Sequence, residues 1–115
     1  MTHILNPGEK VHIIHRRRFE KDIRRHFIGH VDDYEHGVAR VSGYVFVIDD
    51  LSQHLFVRRP DKRIKLVPLT SGEIIVNVIP SSVDIETVHY ELKDRTLIVT
   101  DGSPWTMDVK EFGWG

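Results

Sequence analysis

The sequence predicts an all-β protein: a small, strongly bent antiparallel barrel followed by a C-terminal β-meander. Composition is the first sign. The chain holds 14 Val and 12 Ile, but seven Leu and one Ala, Ala39. β-Branched side chains suit a pleated, half-buried surface, whereas Ala and Leu favour helices. Spacing is the second sign. About eight short apolar runs are punctuated by turn residues every ~8–12 positions, the rhythm of small barrels and sandwiches. No run has the length and periodicity of an amphipathic helix. At 115 residues, one domain over 1–115 is expected. A barrel over 9–80 and a meander over 81–115 are its natural subdivision.

Asn6-Pro7-Gly8 reads as a turn, and Val11–Arg16 as a strand with Val11, Ile13 and His15 on one face. Arg16–Phe27 is ambiguous, because Phe19, Ile23 and Phe27 share a face in either a helix or a strand. His26–Asp33 and Val38–Ile48 form a hairpin across Tyr34-Glu35-His36-Gly37, with Gly37 supplying positive φ. In the second strand Ala39, Val41, Gly43, Val45 and Val47 read as the buried face. Gly29 and Gly43 predict bends or close backbone approach. Leu55–Arg59 and Arg63–Leu69 follow as short strands, then Ile74–Ile79, closed by Pro80. Ser82 is a candidate cap for one helical turn over Ser82–Glu86. Val88–Leu92, Thr96–Thr100 and Trp105–Val109 complete the meander.

Charge is the one feature that points to a function. Twelve of the sixteen Lys and Arg residues fall in two stretches, 10–25 and 58–65. Residues 1–65 carry 13 basic and 9 acidic groups, net +4; residues 66–115 carry 3 and 8, net −5. Arg dominates both stretches, with Phe19, Phe27 and Phe56 interleaved. Arg binds phosphate bidentately and stacks on bases, so this mixture suits single-stranded nucleic acid. The chain therefore reads as a non-enzymatic binding module for an anionic partner such as RNA or DNA. The ligand-binding residues are Arg16, Arg17, Arg18, Arg24, Arg25, Arg58, Arg59 and Arg63. Against this, Lys and Arg also guard sheet edges from aggregation. The acidic residues Asp32, Asp33, Glu35, Asp49 and Asp50 could also neutralise the stretches. The alternative function is a protein-interaction or homo-oligomerising module, using strand edges and the aromatic end Phe112-Gly113-Trp114-Gly115.

Enzymatic and metal chemistry find little support. With no Cys there is neither a disulfide nor a thiolate metal site. His26 and His30 share a strand face but would stand ~13 Å apart, too far for one ion. The eight His are expected to be scattered surface imidazoles. Asp32-Asp33 and Asp49-Asp50 could meet as a carboxylate cluster, although Asp at strand ends is ordinary turn chemistry. No cofactor is expected. No apolar run approaches the ~18 residues of a membrane span and no signal peptide is seen, so a soluble, cytoplasmic protein without membrane contact is expected.

The stretch Phe27-Ile28-Gly29-His30-Val31-Asp32-Asp33-Tyr34 resembles the first motif of Sm-like and Hfq-like small barrels. In those, a strand ending Phe-x-Gly-x-Val leads into an acidic turn and a long returning strand. The resemblance covers residues 26–49 and implies a bent barrel, with RNA binding or ring assembly. The N-terminal helix of Hfq-like proteins is replaced here by the strand-like Val11–His15. Their RNA-contacting second motif has no counterpart in Ile74–Pro80, so no binding residue is carried over.

Overall fold

The computed structural model describes residues 4–16, 24–48 and 56–109. Those residues are all-β apart from one 3-10 turn, Ile85–Thr87. The first sheet contains β1 (Lys10–His15), β2 (Arg24–Glu35), β3 (Val38–Ile48), β4 (Val57–Arg58), β5 (Arg63–Pro68) and β6 (Ile74–Ile79). The second is the predicted meander, β7 (His89–Lys93), β8 (Thr96–Thr100) and β9 (Thr106–Asp108). Every ladder is antiparallel. The ambiguity over 16–27 resolves toward strand from Arg24 onward; Phe19 and Ile23 lie outside the described residues.

β3 is the organising strand of the first sheet. It pairs with β2 on one side and with both β4 and β5 on the other, while β1 joins β2 to β6. In a flat sheet β5 and β6 would stand ~19 Å apart, four strand spacings. Yet Val67 of β5 and Val76 of β6 pack in one cluster with Val11, Ile13, Phe27, Val31, Val41 and Val45. The sheet therefore curls around its own inner face. Among the described residues no ladder joins β5 to β6, so the predicted barrel is bent but not closed by hydrogen bonds.

Glycine permits the curl. Gly29 and Gly43 face each other across β2 and β3. A Cβ on Gly29 would lie 2.2 Å from the Ser42 carbonyl oxygen, and one on Gly43 would lie 2.1 Å from that of Ile28. No L-side chain fits either position. A bulge between Val31 and Asp33 adds twist beyond this contact. The hairpin turn is tighter than the four residues expected. His36 and Gly37 alone connect β2 to β3, both with positive φ (47° and 83°), the twist-matched I′ geometry.

The outer face of the sheet differs from expectation. Ser42, Tyr44 and Phe46, placed opposite the buried alternation, are buried as well. The meander and the segment before it cover them with Val83, Ile85, Val88, Tyr90, Val99 and Val109. β3 is thus buried on both faces, which accounts for its nearly unbroken apolar run. The connecting segment is pinned by Lys10, whose Nζ donates to the carbonyls of Ser81, at 2.7 Å, and Val83. Asp84, not Ser82, caps the 3-10 turn by accepting from Glu86 N–H.

Candidate functional site

The register of the first sheet sorts the cations by face. His15 pairs with Arg25, and Arg25 with Val47. Gly43 pairs with Arg63, and Val41 with Lys65. By strand alternation His15, Arg25, Phe27, Arg63 and Lys65 all point to the inner face. They gather at the Phe27 end of the enclosed core, where Lys65 Nζ lies 5.3 Å from the Phe27 ring centroid. Burial lowers the Lys65 pKa, and the charges of Arg25 and Arg63 lower it further. His15 is likewise depressed, by burial first and then by Lys65 and Arg25. The two basic stretches therefore meet in one cationic rim. No carboxylate among the described residues forms an ion pair with Arg25, Arg63 or Lys65.

Other predicted residues are committed elsewhere. Arg58 is on the outer face, its guanidinium 4.6 Å above the Tyr44 ring, and donates to the Glu86 carbonyl at 2.8 Å. Lys62 pairs with the Glu86 carboxylate at 3.7 Å, and Tyr44 O–H donates to it at 2.6 Å. These contacts hold the Glu86 carboxyl below its ordinary range, the Tyr44 hydrogen bond foremost. Arg24 also faces outward, opposite Ile48. Arg16 reaches the Gly72 carbonyl at 3.4 Å. Arg59 is exposed, its backbone N–H bonded to Val45. Arg17 and Arg18 lie outside the described residues, as do Asp49, Asp50, Phe112 and Trp114.

Of the acidic residues expected to interrupt the basic stretches, Asp32, Asp33 and Glu35 lie away from the rim. Asp33 sits opposite Arg40 near the hairpin turn, eight residues along β2 from Arg25, or ~26 Å. Asp32 accepts from Ser42 Oγ and pairs with His30 at 3.1 Å. The other half of the expected carboxylate cluster, Asp49-Asp50, lies outside the described residues. A separate cleft of about 250 Å³ near the turn, lined by Asp33, Tyr34, Glu35, His36, Val38, Arg40 and Leu66, contains none of the predicted ligands.

The histidines are not all surface imidazoles. His12 and His26 are fully buried on the outer face of the sheet. His26 Nδ1 is 2.6 Å from Tyr90 Oη, and His12 Nε2 is 3.1 Å from both that oxygen and His26 Nδ1. Asn77 Nδ2 lies 3.3 Å from His12 Nδ1. One assignment of protons satisfies these contacts: Tyr90 O–H donates to His26, His12 Nε2–H to Tyr90, and the Asn77 amide to His12. Phe56 stacks on His26 with centroids 4.0 Å apart. Burial lowers the His12 pKa to about 4 and, with the charges of His12, His15 and Arg24, that of His26 to about 2. Burial pushes Tyr90 well above its usual value. The cluster stays neutral and ties β1 and β2 to β7. Its sequence signal was the apolar character of Tyr44, Phe46 and Ile48, which marks that face as covered. Among the described residues no three His, Cys, Asp or Glu side chains gather as a metal site, and no helix is long and apolar enough to cross a membrane.

The fold and site thus describe an all-β protein with a cationic rim. Compared with known proteins, the chain matches no family model, no curated protein and no solved structure.

Proposed function

We propose that the protein is a binding module for a phosphate-bearing polyanion, single-stranded nucleic acid foremost, held at the rim of Arg25, Arg63, Lys65 and His15. The observation that carries this reading is the convergence of cations from both basic stretches at one rim, where no carboxylate among the described residues pairs with them. Like charges gathered without counterions repel one another in the folded state, and an anionic ligand relieves that repulsion. Arg58 stands apart from this rim, on the outer face with Tyr44 and Glu86.

The test is binding of mixed-sequence oligonucleotides at ~50 mM salt, repeated at higher salt. Affinity should fall steeply as salt rises, because phosphate contacts release counterions. Absence of binding at the lower salt would refute this reading.

A second reading, protein docking or self-association at a sheet edge, is favoured by Ile64 and Leu66, which are 63% and 65% exposed on β5. β5 is an edge strand at this level of the sheet. Leu69 N–H bonds Gly37, so by alternation Pro68 turns its missing donor outward. With Arg63 and Lys65 alongside, this edge carries the features that discourage strand addition. Light scattering at high concentration checks it; a clean monomer counts against self-association.

A further inference from the structure

We propose that His15 is a direct ligand of the rim, donating from Nε2 to a bound phosphate oxygen in its protonated form, so that the protein takes up a proton as it binds. This inference rests on the polyanion reading and adds its regulation by pH.

The observation behind it is an orphan atom. His15 Nε2 is the one buried side-chain nitrogen or oxygen among the described residues with no hydrogen-bond partner. Buried polar atoms are almost always satisfied, and an exception needs an explanation. Among the described residues no other buried imidazole points to this face: His12 and His26 point the opposite way and satisfy one another. His15 ends β1, with its ring half-buried between two strands.

The groups around it decide its charge. Arg25 faces it across the ladder from β2, and Lys65 acts on it from β5, with Arg63 beyond. On the β6 side its partner is Ile74, preceded by Glu73, whose backbone carbonyl accepts from Arg16 N–H. His26, from the outer face of β2, is electrostatically coupled to it and neutral. Burial first, and then the charges of Lys65 and Arg25, lower the His15 pKa and favour the neutral ring in the free protein. A phosphate at the rim reverses the sign of the local field. The imidazole then takes a proton from solvent, becomes a donor at both nitrogens, and gains a charge-assisted bond. No other bond changes in this step.

The experiment uses the full chain and a short oligouridylate, whose bases and phosphodiesters do not titrate between pH 5.5 and 8. Wild type should bind about three- to tenfold tighter at pH 5.5 than at pH 8. Calorimetry in two buffers of different ionisation heat should report uptake of up to one proton. The His15→Gln variant keeps a neutral hydrogen-bonding group, so it should bind with the same salt slope but without the pH slope. NMR of the wild-type ring gives an independent reading: its pKa should rise when oligouridylate is added. Salt-dependent binding with no pH slope, with an unchanged slope in the variant, or with an unmoved ring pKa would overturn the role of His15 while leaving the polyanion reading standing. No binding at any pH would overturn both.

Discussion

The two faces of the first sheet hold histidines within three strand positions of one another and treat them in opposite ways. On the outer face His26 and His12 are enclosed by the meander and share a hydroxyl with Tyr90. On the inner face His15 stands at the end of the core beside Arg25 and Lys65, with Nε2 unpartnered. All three imidazoles are held neutral. Burial is the first cause for all three; nearby charges add to it, from His12, His15 and Arg24 for His26 and from Lys65 and Arg25 for the half-buried inner ring. The first arrangement is complete without a ligand. The second is improved by an anion. A protein that carries both uses the same side chain to hold its layers together and, on our proposal, to meet its partner.

Acid should separate the two faces most strongly. A His whose folded pKa is depressed binds its proton in the unfolded state first. Its contribution is therefore fully present above the unfolded value of ~6.5 and is lost as pH falls toward the folded value. For His12 that window runs down to about 4. Each buried ring should cost ~1.4 kcal/mol per pH unit there, so the pair should remove several kcal/mol. Urea unfolding at pH 7, 6, 5 and 4 measures this, and a flat stability over that range would contradict the neutral, buried assignment.

The next effect should come from the contact that curves both faces. Gly43→Ala places a methyl against the Ile28 carbonyl. It should cost about 3 kcal/mol or more, through forced separation of β2 and β3. A melting temperature within a few degrees of wild type would show that the strands can part cheaply.

Substitution within each cluster then sharpens the contrast. Tyr90→Phe removes the shared hydroxyl and leaves His26 Nδ1 and His12 Nε2 to satisfy each other alone. A loss of ~1–3 kcal/mol is expected, with oligonucleotide affinity unchanged. Arg63→Gln should do the reverse. Stability should stay within ~0.5 kcal/mol of wild type, because an exposed like-charge neighbour is removed. The slope of log affinity against log salt should fall by about one unit. A destabilised Arg63→Gln with intact binding would place that side chain in the structural group, beside Arg58.

Much of this fold could be read along the chain. Alternation located the strands, and the meander strand Thr96–Thr100 has its predicted bounds. Gly29 and Gly43 announced close approach, because glycine within a β run has little other use. The site was half legible. Of the named residues, Arg25 and Arg63 come together at the rim, whereas Arg58 lies on the other face, a separation that charge and composition do not show. Arg58 bonds there to Glu86, 28 positions away. His12 and His26 were missed because one-sided burial was assumed for a sheet that a second sheet covers.

The sequence by itself determined local conformation and the segregation of charge. Both depend on neighbours within a few residues: side-chain alternation, β-branching, glycine at tight positions and runs of Arg. Only the tertiary structure decided which charges meet and which histidines are dry. Strand β3 sets the register of β2 on one side and β5 on the other, and that brings His15 and Arg25 into one rim with Arg63 and Lys65. The meander then excludes water from the opposite face. Long-range pairing and desolvation are properties of the folded layers: the apolar Tyr44, Phe46 and Ile48 mark their face as covered, but not what covers it or which histidines lie beneath.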